Sequence, residues 1–182
     1  MATRTLAPAV AALAADIGSV VRSDAPAMDV ARDVSNALAA SLAMPNLLTT
    51  EQTTGREESY TQHILYVDPD GRFSIVSLVW LPGQNTVIHD HVSWCVVGVY
   101  QGKEEETLYR LVDDGREPAY LVETGHSVNA EGVTSFFAPP GDIHRVCNAS
   151  DGKVISIHVY GADVSVLGSS VRRRYDLPVR SA

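Results

Sequence analysis

The sequence is organised around two stretches, His89-Asp90-His91 and Pro139-Pro140-Gly141-Asp142-Ile143-His144. Residues i and i+2 of a β-strand point to the same face of a sheet, so we expect His89 and His91 to share one face. A third imidazole, from His144 on another strand, can complete a set around one metal ion. Such a set leaves positions open to small ligands, which is typical of catalytic rather than structural metal sites.

The chain from residue 49 onward has the pattern of a β-protein. Six apolar or alternating runs are separated by turn signals such as Pro69-Asp70-Gly71 and Asp151-Gly152. The runs cover residues 64–67, 73–80, 94–100, 106–111, 135–138 and 154–160. Many short strands at close spacing predict a mainly β fold, either a sandwich or a barrel.

The first 48 residues have the spacing of two helices, in which apolar residues recur three or four positions apart. The two apolar sets are Leu6, Val10, Leu13 and Ile17, and then Val30, Val34, Leu38 and Leu42. Asp29 is expected to cap the second helix, and Pro45 and Asn46 to end it. We therefore predict one domain over residues 1–182, with the helices of residues 1–48 packed outside a β-barrel and C-terminal tail of residues 49–182.

The composition limits the classes of partner. The net charge of −8 argues against nucleic acid and against an anionic membrane surface. No apolar run is long enough to span a bilayer. The two cysteines do not form the pattern of a disulfide framework, which fits a cytoplasmic location. The sequence does not indicate an oligomeric state.

Both histidine stretches lie within patterns that resemble the two motifs of the cupins. The first pattern is Gly83, five residues, His89-x-His91, three residues, Cys95, six residues and Gly102, and the second is Pro139-x-Gly141-x-x-His144-x-x-x-Asn148. The resemblance implies a double-stranded β-helix, which is a jelly-roll barrel. Cupins usually place a glutamate ligand at the position of Cys95, so this chain keeps three neutral histidines as ligands.

A cupin that has lost this glutamate resembles the cysteine dioxygenase family, the thiol dioxygenases. The resemblance extends to Tyr60-Thr61 at the start of a strand and to Ser156-x-His158-x-Tyr160. It implies Fe(II) on the three histidines, a small thiol-carboxylate and O2 as substrates, and a sulfinate as product.

Ser156, His158 and Tyr160 alternate along one predicted strand and so share one face. The Ser156 hydroxyl can fix the tautomer of His158, which in turn orients the Tyr160 phenol as a catalytic group. A polar row on a solvated strand face is the alternative interpretation of the same pattern.

The residue two positions after Tyr60 bears on the substrate. In the cysteine-specific branch of the family, an arginine there binds the substrate carboxylate, whereas this chain has Gln62. A neutral amide thus replaces a bidentate cation, which is similar to the branch whose implied substrate is 3-mercaptopropionate. Another cation is then expected to bind the carboxylate, and Arg172 and Arg173 are the candidates.

Several alternatives remain open from the sequence. The same chemistry can act on L-cysteine, or on mercaptosuccinate with an arginine for the second carboxylate. A cupin that binds a metal or a small molecule without turnover is the alternative of a different class. Animal members of the family form a thioether between a cysteine at the position of Cys95 and the network tyrosine, here Tyr160. A small buried hydrophobic side chain is the simpler interpretation of Cys95.

Overall fold

The computed structural model describes residues 6–21, 24–44 and 46–180 of the chain. Its helices are α1 (Pro8–Val20), α2 (Ala27–Leu42) and α3 (Val164–Leu167), with a single 3-10 turn at Glu51–Thr53. Its strands are β1 (Thr61–Val67), β2 (Ser74–Trp80), β3 (His89–His91), β4 (Cys95–Gln101), β5 (Lys103–Val112), β6 (Tyr120–Ala130), β7 (Thr134–Phe137), β8 (His144–Asn148), β9 (Val154–Tyr160), β10 (Val171–Arg174) and β11 (Val179–Arg180).

Two sheets make up the β part of the molecule. One has the strand order β1-β2-β9-β4-β7 and the other β10-β3-β8-β5-β6-β11. Within them, strands β2 to β9 divide four and four between the sheets, as β2-β9-β4-β7 and β3-β8-β5-β6, with antiparallel neighbours. This is the eight-stranded double-sheet jelly roll of the cupins, so the prediction of a mainly β cupin fold is confirmed.

The two predicted helices pack on the outer face of the five-stranded sheet. Leu13, Ile17 and Leu38 are fully buried there against Ile157 and Val159 of β9. The alternate residues of β9 face inward between the sheets, so all seven positions of the strand are buried. The helices therefore cover one face of β9 while the second sheet covers the other.

The six predicted strands all have counterparts, but β6, β10 and β11 were not predicted from the sequence. β6 is eleven residues long, and most of its positions beyond Leu121 and Val122 are exposed or half-exposed. Such a strand lacks the apolar alternation on which a sequence-based prediction depends. Its ten paired positions with β5 hold it in the sheet instead.

The ends of α2 differ from the prediction. The helix begins at Ala27 with Pro26 in the capping position, and no side chain caps it. Asp29 lies in the first turn, where it accepts a hydrogen bond from Arg32 Nη1 at 2.7 Å. The helix ends at Leu42, before Asn46, and Pro45 lies outside the described residues. None of the helices in the described part of the chain is long and apolar enough to cross a membrane.

Candidate functional site

Three buried imidazoles meet on the inner face of the six-stranded sheet. His89 on β3 lies directly opposite His144 on β8, and His91 is two positions further along β3. The three ring centroids are 4.7 to 4.9 Å apart, and one ligand atom from each ring lies within 4.8 Å of the others. The structure therefore brings together all three histidines that the sequence analysis selected as metal ligands.

Each of these rings is held by a hydrogen bond at its Nδ1 atom. The pairs are His89 Nδ1 with the Val87 carbonyl oxygen at 2.9 Å, His91 Nδ1 with Asp142 Oδ2 at 3.1 Å, and His144 Nδ1 with Glu106 Oε1 at 2.6 Å. A carbonyl or an ionised carboxylate only accepts, so with Asp142 and Glu106 ionised each Nδ1 carries the proton and donates it. The Nε2 lone pair of all three rings is thereby left for a metal ion, which is the usual arrangement of metal-bound histidine.

The charge state of the rings also fits a metal ion. Burial lowers the pKa of His89 and of His144 to about 3, with smaller contributions from the neighbouring imidazoles. Both rings are therefore neutral at pH 7, which is the form that binds metals. Burial also raises the pKa of the Cys95 thiol well above its usual value, so Cys95 is neutral. Three neutral nitrogen donors suit a divalent transition metal and leave its charge unneutralised.

Ser156, His158 and Tyr160 form a continuous hydrogen-bonded row on the inner face of β9. The Ser156 hydroxyl lies 2.9 Å from His158 Nε2, and the Tyr160 hydroxyl lies 3.1 Å from His158 Nδ1. Trp80 Nε1 donates to Ser156 Oγ at 3.2 Å. All three residues are buried, which excludes the interpretation of a polar row on a solvated face.

Burial keeps this row uncharged. It lowers the pKa of His158 well below its usual value and raises that of the Tyr160 phenol well above its usual value. The imidazole is therefore neutral and the phenol is protonated at pH 7. The Tyr160 ring centroid lies 6.1 Å from that of His91, so the phenol is next to the three-histidine set. A neutral phenol in that position can hold or donate a proton beside a bound ligand.

The three histidines and the Ser156–His158–Tyr160 row share one small cavity with a volume of about 40 Å³. Its wall is formed by Tyr60, Gln62, Leu78, Trp80, Thr86, His89, His91, His144, Val146, His158, Tyr160, Ser169, Ser170 and Val171. The predicted substrate-binding residues Tyr60 and Gln62 are both in this wall. The Tyr60 ring packs on Trp80 with centroids 4.5 Å apart. Among the described residues, no lysine, arginine, aspartate or glutamate lines the cavity.

The structure does not bring Arg172 or Arg173 into this cavity. Asp90 alternates with the two histidines of β3 and so points to the opposite face of the strand, where Arg172 pairs with it. The Arg173 guanidinium lies 4.7 Å from the centroid of the Tyr175 ring. Arg172, which the sequence predicted to bind the substrate carboxylate, is therefore paired with the buried carboxylate of Asp90. The preceding residues Ser169 and Ser170 form the cavity wall instead.

Cys95 and Tyr160 are direct register partners on the antiparallel strands β4 and β9. Directly opposite residues on one sheet face have neighbouring side chains, and both residues belong to the cluster between the sheets. Cys95 is a fully buried free thiol. The structure therefore places the two residues of the proposed thioether side by side.

Sequence analysis missed the two carboxylates that orient the ligand histidines, Glu106 and Asp142. Asp142 also accepts a hydrogen bond from the His91 backbone N–H at 2.9 Å. Its place within the second histidine stretch was an available signal, since ligand histidines are regularly held by carboxylates. Glu106 had no comparable signal, because it ends a run of three glutamates, and such a run is typical of a solvent-exposed strand.

Comparisons with known proteins identify a family to which the chain is similar. The model of the family described as cysteine dioxygenase type I matches residues 3–169. The chain is 31% identical over 107 residues to cysteine dioxygenase type 1 of Danio rerio, covering 56% of this chain and 50% of that protein. It is 30% identical over 93 residues to the human protein of the same name, covering 50% and 46%. The chain thus spans about half the length of the curated relatives it matches. A Klebsiella pneumoniae protein with a double-stranded β-helix domain gives a TM-score of 0.48 at 15% identity over 66% of this chain and 92% of that one.

Proposed function

Because the chain belongs to the cysteine dioxygenase type I family, we propose that it is a mononuclear non-haem Fe(II) thiol dioxygenase. In this reaction both atoms of O2 are added to the sulfur of a small mercapto-carboxylate, giving a sulfinate. The observation that carries the proposal is the set of three buried imidazoles, each held at Nδ1 and each with a free Nε2. His89, His91 and His144 would hold the iron, which would supply the redox chemistry of the reaction.

The chain's own residues would orient the substrate and handle the proton. The Tyr160 hydroxyl, held by His158, faces the same cavity as the three histidines. There it can donate a hydrogen bond to the substrate carboxylate or to oxygen. Gln62 and Tyr60 add neutral polar groups to the wall, and the apolar side chains of Leu78 and Val146 exclude bulk water.

The charges around the cavity favour 3-mercaptopropionate over L-cysteine. A divalent metal on three neutral imidazoles attracts an anionic ligand, so the thiolate and carboxylate of 3-mercaptopropionate together balance its charge. L-cysteine adds an ammonium group, and no acidic side chain among the described residues lines the cavity to pair with it. An unpaired buried charge is costly. Mercaptosuccinate is disfavoured because Arg172, the candidate partner of its second carboxylate, is bound to Asp90.

The experiment that tests the proposal is oxygen uptake by protein loaded anaerobically with iron(II). We would offer 3-mercaptopropionate, L-cysteine, cysteamine and mercaptosuccinate separately and identify the sulfinate by mass. Preference for 3-mercaptopropionate is the expected result. Preference for L-cysteine would retain the dioxygenase and overturn the charge argument. No uptake with any of the thiols would refute the dioxygenase and favour a cupin that binds without turnover.

A further inference from the structure

A fourth polar residue, Glu104, lies buried beside the Ser156–His158–Tyr160 row. Glu104 is on β5 of the opposite sheet, and only 1% of it is exposed. Its carboxyl group adjoins the Ser156 hydroxyl and the Trp80 indole N–H. Its Oε1 atom has no hydrogen-bond partner within the described part of the chain. A buried carboxyl oxygen without a partner is rare in folded proteins and calls for an explanation.

The partners of His158 leave the direction of the row undetermined. The metal-facing histidines each contact an oxygen that only accepts, which fixes their tautomers. His158 instead lies between two hydroxyl groups, those of Ser156 and Tyr160, and a hydroxyl can both donate and accept. A neutral imidazole carries one N–H, so the row can donate toward Tyr160 or away from it. A polar group at the Ser156 end of the row can select between the two directions.

We propose that Glu104 is a positioning residue whose protonation state sets this direction. When the carboxyl group is protonated, it donates to Ser156, Ser156 donates to His158 Nε2, and His158 Nδ1–H donates to the Tyr160 oxygen. The Tyr160 hydrogen is then free to donate into the cavity. When Glu104 is ionised, Ser156 donates to it and His158 Nε2–H donates to Ser156. Tyr160 then donates to His158 Nδ1 and offers the cavity only a lone pair.

The two states differ by one proton and no electrons. In passing from the first to the second, the Glu104 proton moves to Ser156, the Ser156 proton to His158 Nε2, and the His158 Nδ1 proton to Tyr160. Tyr160 releases its own proton into the cavity. Glu104 would therefore serve as a buried store of one proton, delivered at the phenol.

The surroundings allow Glu104 to change state near neutral pH. Burial raises its pKa to about 7, and hydrogen bonding from Ser156 and Trp80 acts in the opposite direction. The titratable groups that face it are Glu106 on its own strand, and Cys95 and Tyr160 on β4 and β9. Burial raises the pKa of Glu106 to about 7 as well, and its charge raises the pKa of Glu104 further. Cys95 and Tyr160 keep their protons at neutral pH because burial raises the pKa of both groups.

The test is the tautomer of His158, read from its ring nitrogen-15 shifts in the full chain loaded with Zn2+, a diamagnetic probe for the three-histidine site. The proposal rests on the proposed function for its meaning in catalysis, but this readout needs no turnover. Between about pH 5.5 and pH 8.5 we expect a shift from the Nδ1–H to the Nε2–H form, because burial places the Glu104 transition in that range. Glu104→Gln and Glu104→Leu, which cannot ionise, should each show a proportion of the two tautomers that does not change with pH.

Glu105→Gln is the matched control, because Glu105 lies on the same strand but its side chain is 41% exposed and faces His126. It should titrate like the wild type. A wild-type tautomer that stays constant, or a shift that persists in Glu104→Gln, would overturn the proposal. In the iron-loaded enzyme, the ratio of wild-type to Glu104→Gln oxygen uptake should fall as the pH rises through about 7. A constant ratio would also overturn the proposal, whereas no uptake by either protein at any pH would refute the dioxygenase instead.

Discussion

Glu106→Leu should weaken metal binding at the three-histidine site. The Glu106 carboxylate accepts the Nδ1–H of His144 at 2.6 Å, and both side chains are buried. Without this acceptor, the His144 ring loses the group that fixes its orientation and tautomer and raises its basicity. The metal-free protein should lose about 1–3 kcal/mol of stability, because removing one partner of a buried hydrogen-bonded pair leaves the His144 Nδ1–H without an acceptor.

The expected loss of metal affinity follows from the strength of the hydrogen bond that is removed. A hydrogen bond to a charged group is worth about 1.5–3 kcal/mol, which corresponds to roughly a 10- to 150-fold loss of affinity. Removal of such supporting groups typically costs about 10- to 100-fold in metal affinity, which agrees with that range. Glu106→Gln keeps an acceptor but not its charge, and charged hydrogen bonds are roughly twice as strong as neutral ones. We therefore expect Glu106→Gln to lie between the wild type and Glu106→Leu.

The assay is competition for Zn2+ against a chromophoric chelator, combined with thermal unfolding of the metal-free proteins. Glu105→Gln, with its exposed side chain, is the control and should bind like the wild type. If Glu106→Leu bound Zn2+ within about twofold of the wild type, well below the loss expected for a supporting carboxylate, the assigned role of Glu106 would be wrong. A large loss of stability in the metal-free variant would show instead that Glu106 is needed for folding.

Three further predictions concern the network and its surroundings. Tyr160→Phe should lower the maximal rate of oxygen uptake by about 10²-fold while the protein still binds Zn2+, and an unchanged rate would exclude the phenol from the reaction. If Cys95 and Tyr160 form the thioether, intact mass should show a species two hydrogens lighter, absent from Cys95→Ser. In Gly161→Ala the new Cβ would lie 2.3 Å from Trp94 Nε1, so thermal unfolding should show a loss of about 1–3 kcal/mol, whereas Gly152→Ala, with open space, should lose less.

The sequence was sufficient for the parts of the fold that depend on short-range pattern. The three-to-four spacing located both N-terminal helices, and the alternation of Ser156, His158 and Tyr160 placed them on one face. The histidine spacing identified the three imidazoles that now meet within 4.8 Å. These features succeed because a helix or a strand fixes which residues share a face, whatever the rest of the chain does.

The supporting carboxylates depend on contacts between strands that are far apart in the sequence. In the run Lys103-Glu104-Glu105-Glu106, the first and third residues are exposed or half-exposed, whereas Glu104 and Glu106 point between the sheets. A run of charges of this kind normally predicts a solvated strand. Glu106 meets an imidazole only because His144 lies opposite Leu108, two residues further along the strand. Glu104 meets Ser156 only because the two sheets face each other.

The positions of the arginines show that contacts between distant strands also limit the prediction of the substrate-binding residues. Because Gln62 is neutral, the resemblance to the thiol dioxygenases implies a second cation for the substrate carboxylate, with Arg172 and Arg173 as the candidates. The alternation of β3 places Asp90 on the face opposite the histidines, so the buried carboxylate binds Arg172 there. No cationic side chain among the described residues lines the cavity wall, so in the proposed function the metal would supply the positive charge that attracts the substrate carboxylate. Metal loading should therefore control affinity for the carboxylate as well as for the thiolate, and Gln62→Leu should weaken binding less than loss of the metal does.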